Sequence, residues 1–266
     1  MTTNDYVKLT AEDSVAHVVA NAGTWILTGG VIYVHLTDGR APDANVHVYR
    51  SMASAYSARD SISIYLEGIE FQGGPNGACY FRNASATGNL NVYAKNCKFK
   101  YSAATGGFAT EGTTLSVCQD CESARNDNDG YNYHVRNTVV PDAIEINCIG
   151  RHSNPTGDSD NNGSSIHDGG RILRLNGKYH DTYGSQIVDV THSLSWDLGI
   201  QAYNGLETGQ ANFEIDGVMW LDTCTSYGHA ASGYDLKVAG AGHALYHRNL
   251  MSGGDFSNSG ATLETY

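Results

Sequence analysis

Asp120-Cys121, then Gly130-Tyr131-Asn132-Tyr133-His134; Asn147-Cys148, then Gly163-Ser164-Ser165-Ile166-His167; Asn176-Gly177, then Gly184-Ser185-Gln186-Ile187-Val188-Asp189: between Asp120 and Asp189 the chain repeats one two-part pattern three times. A polar turn residue is followed by a small one, and a glycine-led segment follows later. The same signs stand on either side, at Asn96-Cys97 and Gly107-Phe108 before, and at Thr223-Cys224 and Gly233-Tyr234-Asp235-Leu236-Lys237 after. Self-similarity at a roughly constant interval marks a repeat architecture, and it sets how every other motif is read.

The interval decides which repeat. The turn markers recur every twenty-odd residues and tolerate insertions; between Gly177 and Cys224 one marker is missing. After each glycine, apolar and polar residues alternate, as at Tyr131 and Tyr133 against Asn132 and His134. Alternation is the period of a strand with one buried face. No helix of repeat length is present in this stretch, which excludes helical repeats. Short strands with Gly, Asn and Asp turns predict a solenoid of β-strands.

The stacked Asn/Asp-Cys pairs and glycine-led strands, from about Ser61 onward, resemble those of right-handed parallel β-helix proteins, the architecture of pectate-lyase-like enzymes and many phage tailspikes. The segment from Gly23-Thr24-Trp25 to Asp38-Gly39-Arg40-Ala41-Pro42 resembles the lead-in to such helices. The resemblance implies an all-β, single-stranded right-handed parallel β-helix with a short N-terminal capping α-helix. It divides the chain into cap and lead-in strands over residues 1–60 and one continuous run of repeats over 61–266. The fold hosts several chemistries, so activity must be argued from the site.

Composition narrows the partners. Sixteen Lys and Arg against 28 Asp and Glu leave a net charge of −12 over 266 residues. Phosphate contacts need Lys and Arg, so nucleic acid is not expected as a partner. No apolar run reaches the ~20 residues of a membrane-spanning helix. Few charged residues, 31 Gly and 17 Tyr suit an extracellular or virion-associated β-protein. The first residues lack the basic and apolar regions of a signal peptide. Of the six cysteines, Cys97, Cys121, Cys148 and Cys224 fall in one repeat column and are expected as an inward row of small apolar side chains. Thr10 caps a predicted helix over 11–20, with Asp13 in the capping-box position and Val15, Val18 and Val19 on its apolar face. That helix is the natural lid of a solenoid end. Short strands follow at Trp25–Thr28, Val31–Leu36 and Val46–Tyr49. The C-terminal Ser252–Tyr266 carries no evident cap, which predicts self-association, as a dimer or trimer, or a continuation of the chain.

In a stacked solenoid, polar positions after each glycine form an exposed ribbon with rows ~5 Å apart. The predicted rows are Asn132/His134, Ser165/His167, Gln186/Val188 and Asp235/Lys237, with Gln201 and Tyr203 from Gly199-Ile200-Gln201-Ala202-Tyr203 as a further row. His134 is then beside His167, with Asp129 and Asp168 at the strand ends and Asp189 one turn on. Two histidines and three carboxylates in neighbouring turns suit acid–base catalysis on a bound polysaccharide. Asn132, Ser165, Gln186, Gln201, Tyr203 and Arg171 are the expected substrate contacts. Hydrolysis needs a carboxylate pair, for which Asp129, Asp168 and Asp189 are candidates, with Glu145 in an uncertain column. Elimination from a uronate needs a base, such as His134, His167, Tyr133 or Tyr203, and a cation, such as Arg171, Arg174 or calcium. Asp158-Ser159-Asp160-Asn161-Asn162-Gly163 opens like a calcium loop, with Asp158, Asp160 and Asn162 as ligands, but position twelve is Gly169 rather than an acid. Asn126-Asp127-Asn128-Asp129-Gly130 is a shorter relative. The expected function is thus polysaccharide degradation, as a glycoside hydrolase or lyase, without a cofactor or with Ca2+. Its rival is a non-catalytic carbohydrate-binding or structural spike.

Overall fold

A computed structural model describes residues 9–46, 55–59, 61–153 and 161–266. The chain divides into two units, Met1–Arg50 and Ser51–Tyr266.

In the first unit, strands Thr24–Thr28 and Val31–His35 pair as an antiparallel hairpin, and Thr10–Ala11 pairs in parallel with Thr24 and Trp25. The helix is shorter than predicted, Val15–Ala20, and Ser14 caps it by accepting from the His17 amide at 3.2 Å. Thr10 and Ala11 are taken from the helix because their backbone completes the edge of the hairpin: Thr10 N–H donates to Gly23 O and Glu12 N–H to Trp25 O. Val18 alone of the three stripe valines is buried, while Val19 is exposed. The strand expected at Val46–Tyr49 lies outside the described residues apart from Val46.

The second unit is a right-handed parallel β-helix whose turns each contribute strands to three sheets. The first sheet carries Cys79–Asn83, Phe108–Glu111, Tyr131–His134, Ser164–Ile166 and their successors. The second carries Leu90–Lys95, Leu115–Gln119, Asp142–Ile146, Arg171–Leu175 and successors. The third stacks eight short strands from Glu70–Gln72 to Met251–Ser252. Two long strands, Ile187–Leu198 and Ala211–Asp222, run through the corner between the first two sheets, with a bulge after Asp189.

A single left-handed residue makes the corner between the second and third sheets in every turn. Asn96, Asp120, Asn147 and Asn176 have φ of 52°, 53°, 53° and 54°, and the column closes with Gly199, Thr223 and Asn249. Only Gly, and to a lesser degree Asn and Asp, enter this region at low cost, which is why the column reads Asn/Asp/Gly. Each backbone N–H donates to the carbonyl one turn on, as from Asp120 to Ile146 and from Asn147 to Leu175. The next residue points inward, and there Cys97, Cys121, Cys148 and Cys224 are buried as free thiols.

The marker missing between Gly177 and Cys224 is Gly199-Ile200, with Ile200 fully buried in the cysteine column. Gly199 therefore turns the corner and does not open a ribbon strand. Gly130 and Gly163 have a different constraint: a Cβ there would sit 2.4 Å from Gly163 O and 2.6 Å from Gln186 O, inside contact distance. Their column continues not with Gly184 but with Gln186 and then Asn212, because Tyr131 pairs with Ser164, Ser164 with Ile187 and Ile187 with Phe213. The inward faces hold Phe99, Phe108, Tyr131, Tyr133 and Tyr179 in one continuous core.

Candidate functional site

The outer face of the first sheet is polar. One column runs Ala109, Asn132, Ser165, Val188, Glu214 and Lys237. Beside it Glu111 pairs with His134, and the ladder continues when His167 N–H donates to Tyr133 O at 3.0 Å. The His134 and His167 rings stack with centroids 3.8 Å apart and 20° between their planes. The next residue, Asp168, is left-handed at φ 58° and places Oδ2 3.6 Å from His134 Nδ1. Four of the predicted ribbon residues thus meet: His134, His167, Asp168 and Asn132.

Asp129 stands at their edge. Its Oδ1 accepts from the Asn162 backbone N–H at 2.7 Å and the Asn162 side-chain amide at 3.0 Å, and its Oδ2 accepts from Ser165 Oγ at 2.5 Å. These three hydrogen bonds tie the buried Asp129 side chain to the loop between strands and fix that loop. Asn162, expected as a calcium ligand, turns its amide onto this carboxylate; Asp158 and Asp160 lie outside the described residues. Asn126 of the shorter loop is wholly buried and bonds to Ser102 and Ser123.

Asp129, Asn132, His134, Asn162 and His167 line a groove of about 680 Å3 together with Val188, Val190, Gln210, Glu214 and Lys237. Lys237 Nζ lies 2.7 Å from Glu214 Oε1, and Ser185 Oγ donates to Glu214 Oε2 at 2.6 Å. Two polar atoms of the groove have no hydrogen-bond partner among the described residues: Asn132 Oδ1, whose amide nitrogen donates to Thr105 O at 2.7 Å, and His167 Nε2. A buried acceptor left unpaired costs ~1–3 kcal/mol, so these atoms are the groove's open hydrogen-bonding positions. Burial, reinforced by the neighbouring His134, pushes the His167 imidazole down to about 3, which keeps it neutral at physiological pH.

Several expected site residues are elsewhere. Asp189 faces the core, not the ribbon: the alternation starts from inward-facing Ile187, so Val188 points out and Asp189 in. There Arg174 Nη1 contacts Asp189 Oδ1 at 3.4 Å and Asp197 Oδ1 at 3.2 Å, and Arg174 Nε donates to Ser164 Oγ. Ser164 Oγ donates in turn to Glu145, which also accepts from Tyr179 Oη. Burial pushes Asp189 up to about 7 against the pull of Arg174, and raises Asp197 and Glu145 likewise. Gln186 is buried at the strand head, bonding to Thr182 and Gly184, and Asp235 is buried among Asn212, Ser226 and Ser252. The two-residue offset at Gly184 and Gly233 moves both off the ribbon.

Arg171 lies on the outer face of the second sheet, in a bidentate pair with Asp142. Gln201 and Tyr203 lie on the third sheet, where Tyr203 stacks between His180 at 4.7 Å and Tyr227 at 4.9 Å. Glu214 and Gln210 belong to the groove and were not anticipated. The signal for Glu214 was its place in the outward alternation of Ala211–Asp222, legible only once Val188 is set in register.

Comparison with known proteins returned no match to a family profile, a curated protein or a solved structure.

Proposed function

We propose that the protein binds a polysaccharide in the groove of the first sheet and hydrolyses it there. The observation that carries the reading is the stacked His134–His167 pair, with Asp168 against His134, over a floor whose Asn132 Oδ1 and His167 Nε2 await hydrogen-bond partners. Sugar hydroxyls supply both donors and acceptors and suit such a floor. Asp168 Oδ2 lies 3.6 Å from His134 Nδ1, and His134 is the imidazole beside the open groove, so His134 is the group that passes a proton to the leaving oxygen. As the glycosidic C–O bond breaks, that oxygen takes the proton, and water adds to the anomeric carbon while yielding its own proton to a carboxylate of the groove. Glu214 is the candidate, since it lines the groove and is held there by Lys237 Nζ at 2.7 Å from its Oε1.

Hydrolysis is favoured over elimination by the position of the cations. Elimination needs a positive group on the uronate carboxylate, but Arg171 is on another face, Arg174 is in the core and Lys237 is paired with Glu214. Asp129 and Glu214 outweigh Lys237 in the lining of the groove, which suits a neutral glycan.

The test is a panel of neutral and uronate-containing polysaccharides, followed by reducing ends and by absorbance of the unsaturated elimination product. New reducing ends from a neutral glycan without absorbance support the reading. Absorbance from a uronate, enhanced by calcium, replaces it with a lyase. Retained binding without cleavage replaces it with a carbohydrate-binding or structural role.

A further inference from the structure

The outer face of the second sheet differs from that of the first. Its central column runs Val117, Ile144, Leu173, Trp196, Trp220 and Tyr246, one residue per turn. Tyr65 and Tyr93 extend it at one end, stacked at 4.8 Å. An outward column of a solvated sheet is expected to be polar. Here Trp196 is 53% exposed and Tyr65 75%, and flanking Leu194 and Leu198 are also open. Most charges at this face are paired within the chain: Arg171 with Asp142, Arg248 with Asp222 and Lys95 with Glu67, while Glu264 continues the column beyond Tyr246 at its C-terminal end without an ion pair among the described residues.

We infer that this face is a self-association surface on which a second copy of the same chain packs. Three arguments select that occupant. The first is area: eight turns at ~4.8 Å and three outward columns ~6.6 Å apart give about 500 Å2 per copy, or about 1,000 Å2 for a pair, the lower edge of a specific protein interface. The second is charge. At −12 the chain repels its own copies over most of its surface, and an acidic chain gains nothing from an anionic membrane. The second-sheet face, where all but the terminal Glu264 of its charges are paired internally, is a place where two copies meet with little of that repulsion. The third is shape. A face built of rows at one constant spacing presents the same ridges and grooves as its own copy. A single flat patch that meets itself generates a two-fold pair, whereas a ring of three joins two different patches. The polysaccharide groove is on a different sheet and stays open in such a pair.

Sedimentation equilibrium or light scattering on the whole chain tests this. The wild type is expected as a concentration-dependent dimer. Trp196→Glu and, two turns away, Ile144→Glu are each expected to raise the dimer dissociation constant about 30-fold or more, as for a central interface residue. Lys178→Glu on the third sheet is expected to leave it unchanged. Circular dichroism reports whether each variant keeps its strands; if one face variant unfolds, the other decides. A monomeric wild type at every concentration, a dimer indifferent to both folded face variants, or a trimer would each overturn the inference.

Discussion

His134 and His167 belong to consecutive turns of the solenoid, and their rings stack at 3.8 Å while Asp168 reaches only the first of them. The pair is asymmetric: His134 has a carboxylate beside it, while His167, half-buried and neutral, has its buried Nε2 unpartnered among the described residues. Two like residues one rung apart thus have different chemistry, one suited to carry a proton and the other to fix a sugar hydroxyl.

That asymmetry separates the two residues kinetically. His134→Ala is expected to lower kcat on the cleaved glycan by about 10^2 to 10^4-fold, the usual share of a proton-transfer group, without loss of fold. His167→Ala is expected to act mainly on KM, since it removes a contact to bound sugar. Steady-state kinetics with circular dichroism checks both. Wild-type rates in a folded His134→Ala variant would remove that residue from the mechanism.

The pH dependence of stability follows from two groups, the half-buried His167 and the buried Asp189. His167, pushed down to about 3, binds fewer protons when folded than when unfolded, so its contribution is present above about 6.5 and is lost as pH falls toward 3. Asp189, raised to about 7, keeps its proton longer in the folded state, so stability is lost as pH rises from about 4 through 7. Asp189→Asn mimics the protonated carboxyl and is expected to reduce the fall in Tm between pH 5 and pH 8. The Asp189 part of that fall is at most about 4 kcal/mol. An unchanged pH slope in the variant would contradict this account of the core.

The Arg174 cluster also sets a direction for truncation. Arg174→Ala leaves Asp189, Asp197 and Glu145 buried without their cation and is expected to cost about 3–5 kcal/mol in denaturant unfolding. The loss is expected to be larger at pH 8 than at pH 5, because the three carboxyls can take protons at the lower pH.

At the corner column, Thr223 is a β-branched residue held at φ 55°, where its neighbours in the column are Gly199 and Asn249. Thr223→Asn is expected to stabilise the protein by up to about 1 kcal/mol. The opposite sign is expected for Gly199→Ala, whose Cβ would lie 2.6 Å from Asn176 Oδ1 at a φ of 67°. Thermal melts of the two variants give the comparison.

The sequence showed the fold wherever one residue type served one purpose. The corner column reads Asn, Asp or Gly because of its left-handed backbone, and the next residue is small and apolar because it points into the core; together they made the solenoid legible. Glycine was ambiguous. Gly130 and Gly163 are forced by close approach of backbone, Gly199 by positive φ and Gly184 by contact with Asn161, and these causes look alike in one dimension. The registers of Gln186, Gln201, Tyr203 and Asp235 slipped for that reason. Asp189 was misplaced because polar residues in strands are expected to face out. Arg174, reached across the interior from the second sheet, is what lets a carboxylate face in, and nothing local signals such a partner.

The most direct test of the central claim is the crystal structure of the His134→Ala variant soaked with a neutral oligosaccharide that the wild type cleaves. Sugar density along the first sheet, with a hydroxyl or amide donor on Asn132 Oδ1 and the chain passing Glu214, is the expected result. Sugar bound instead on the third sheet beside Tyr203 and Tyr227, with the first-sheet groove empty, would contradict the account.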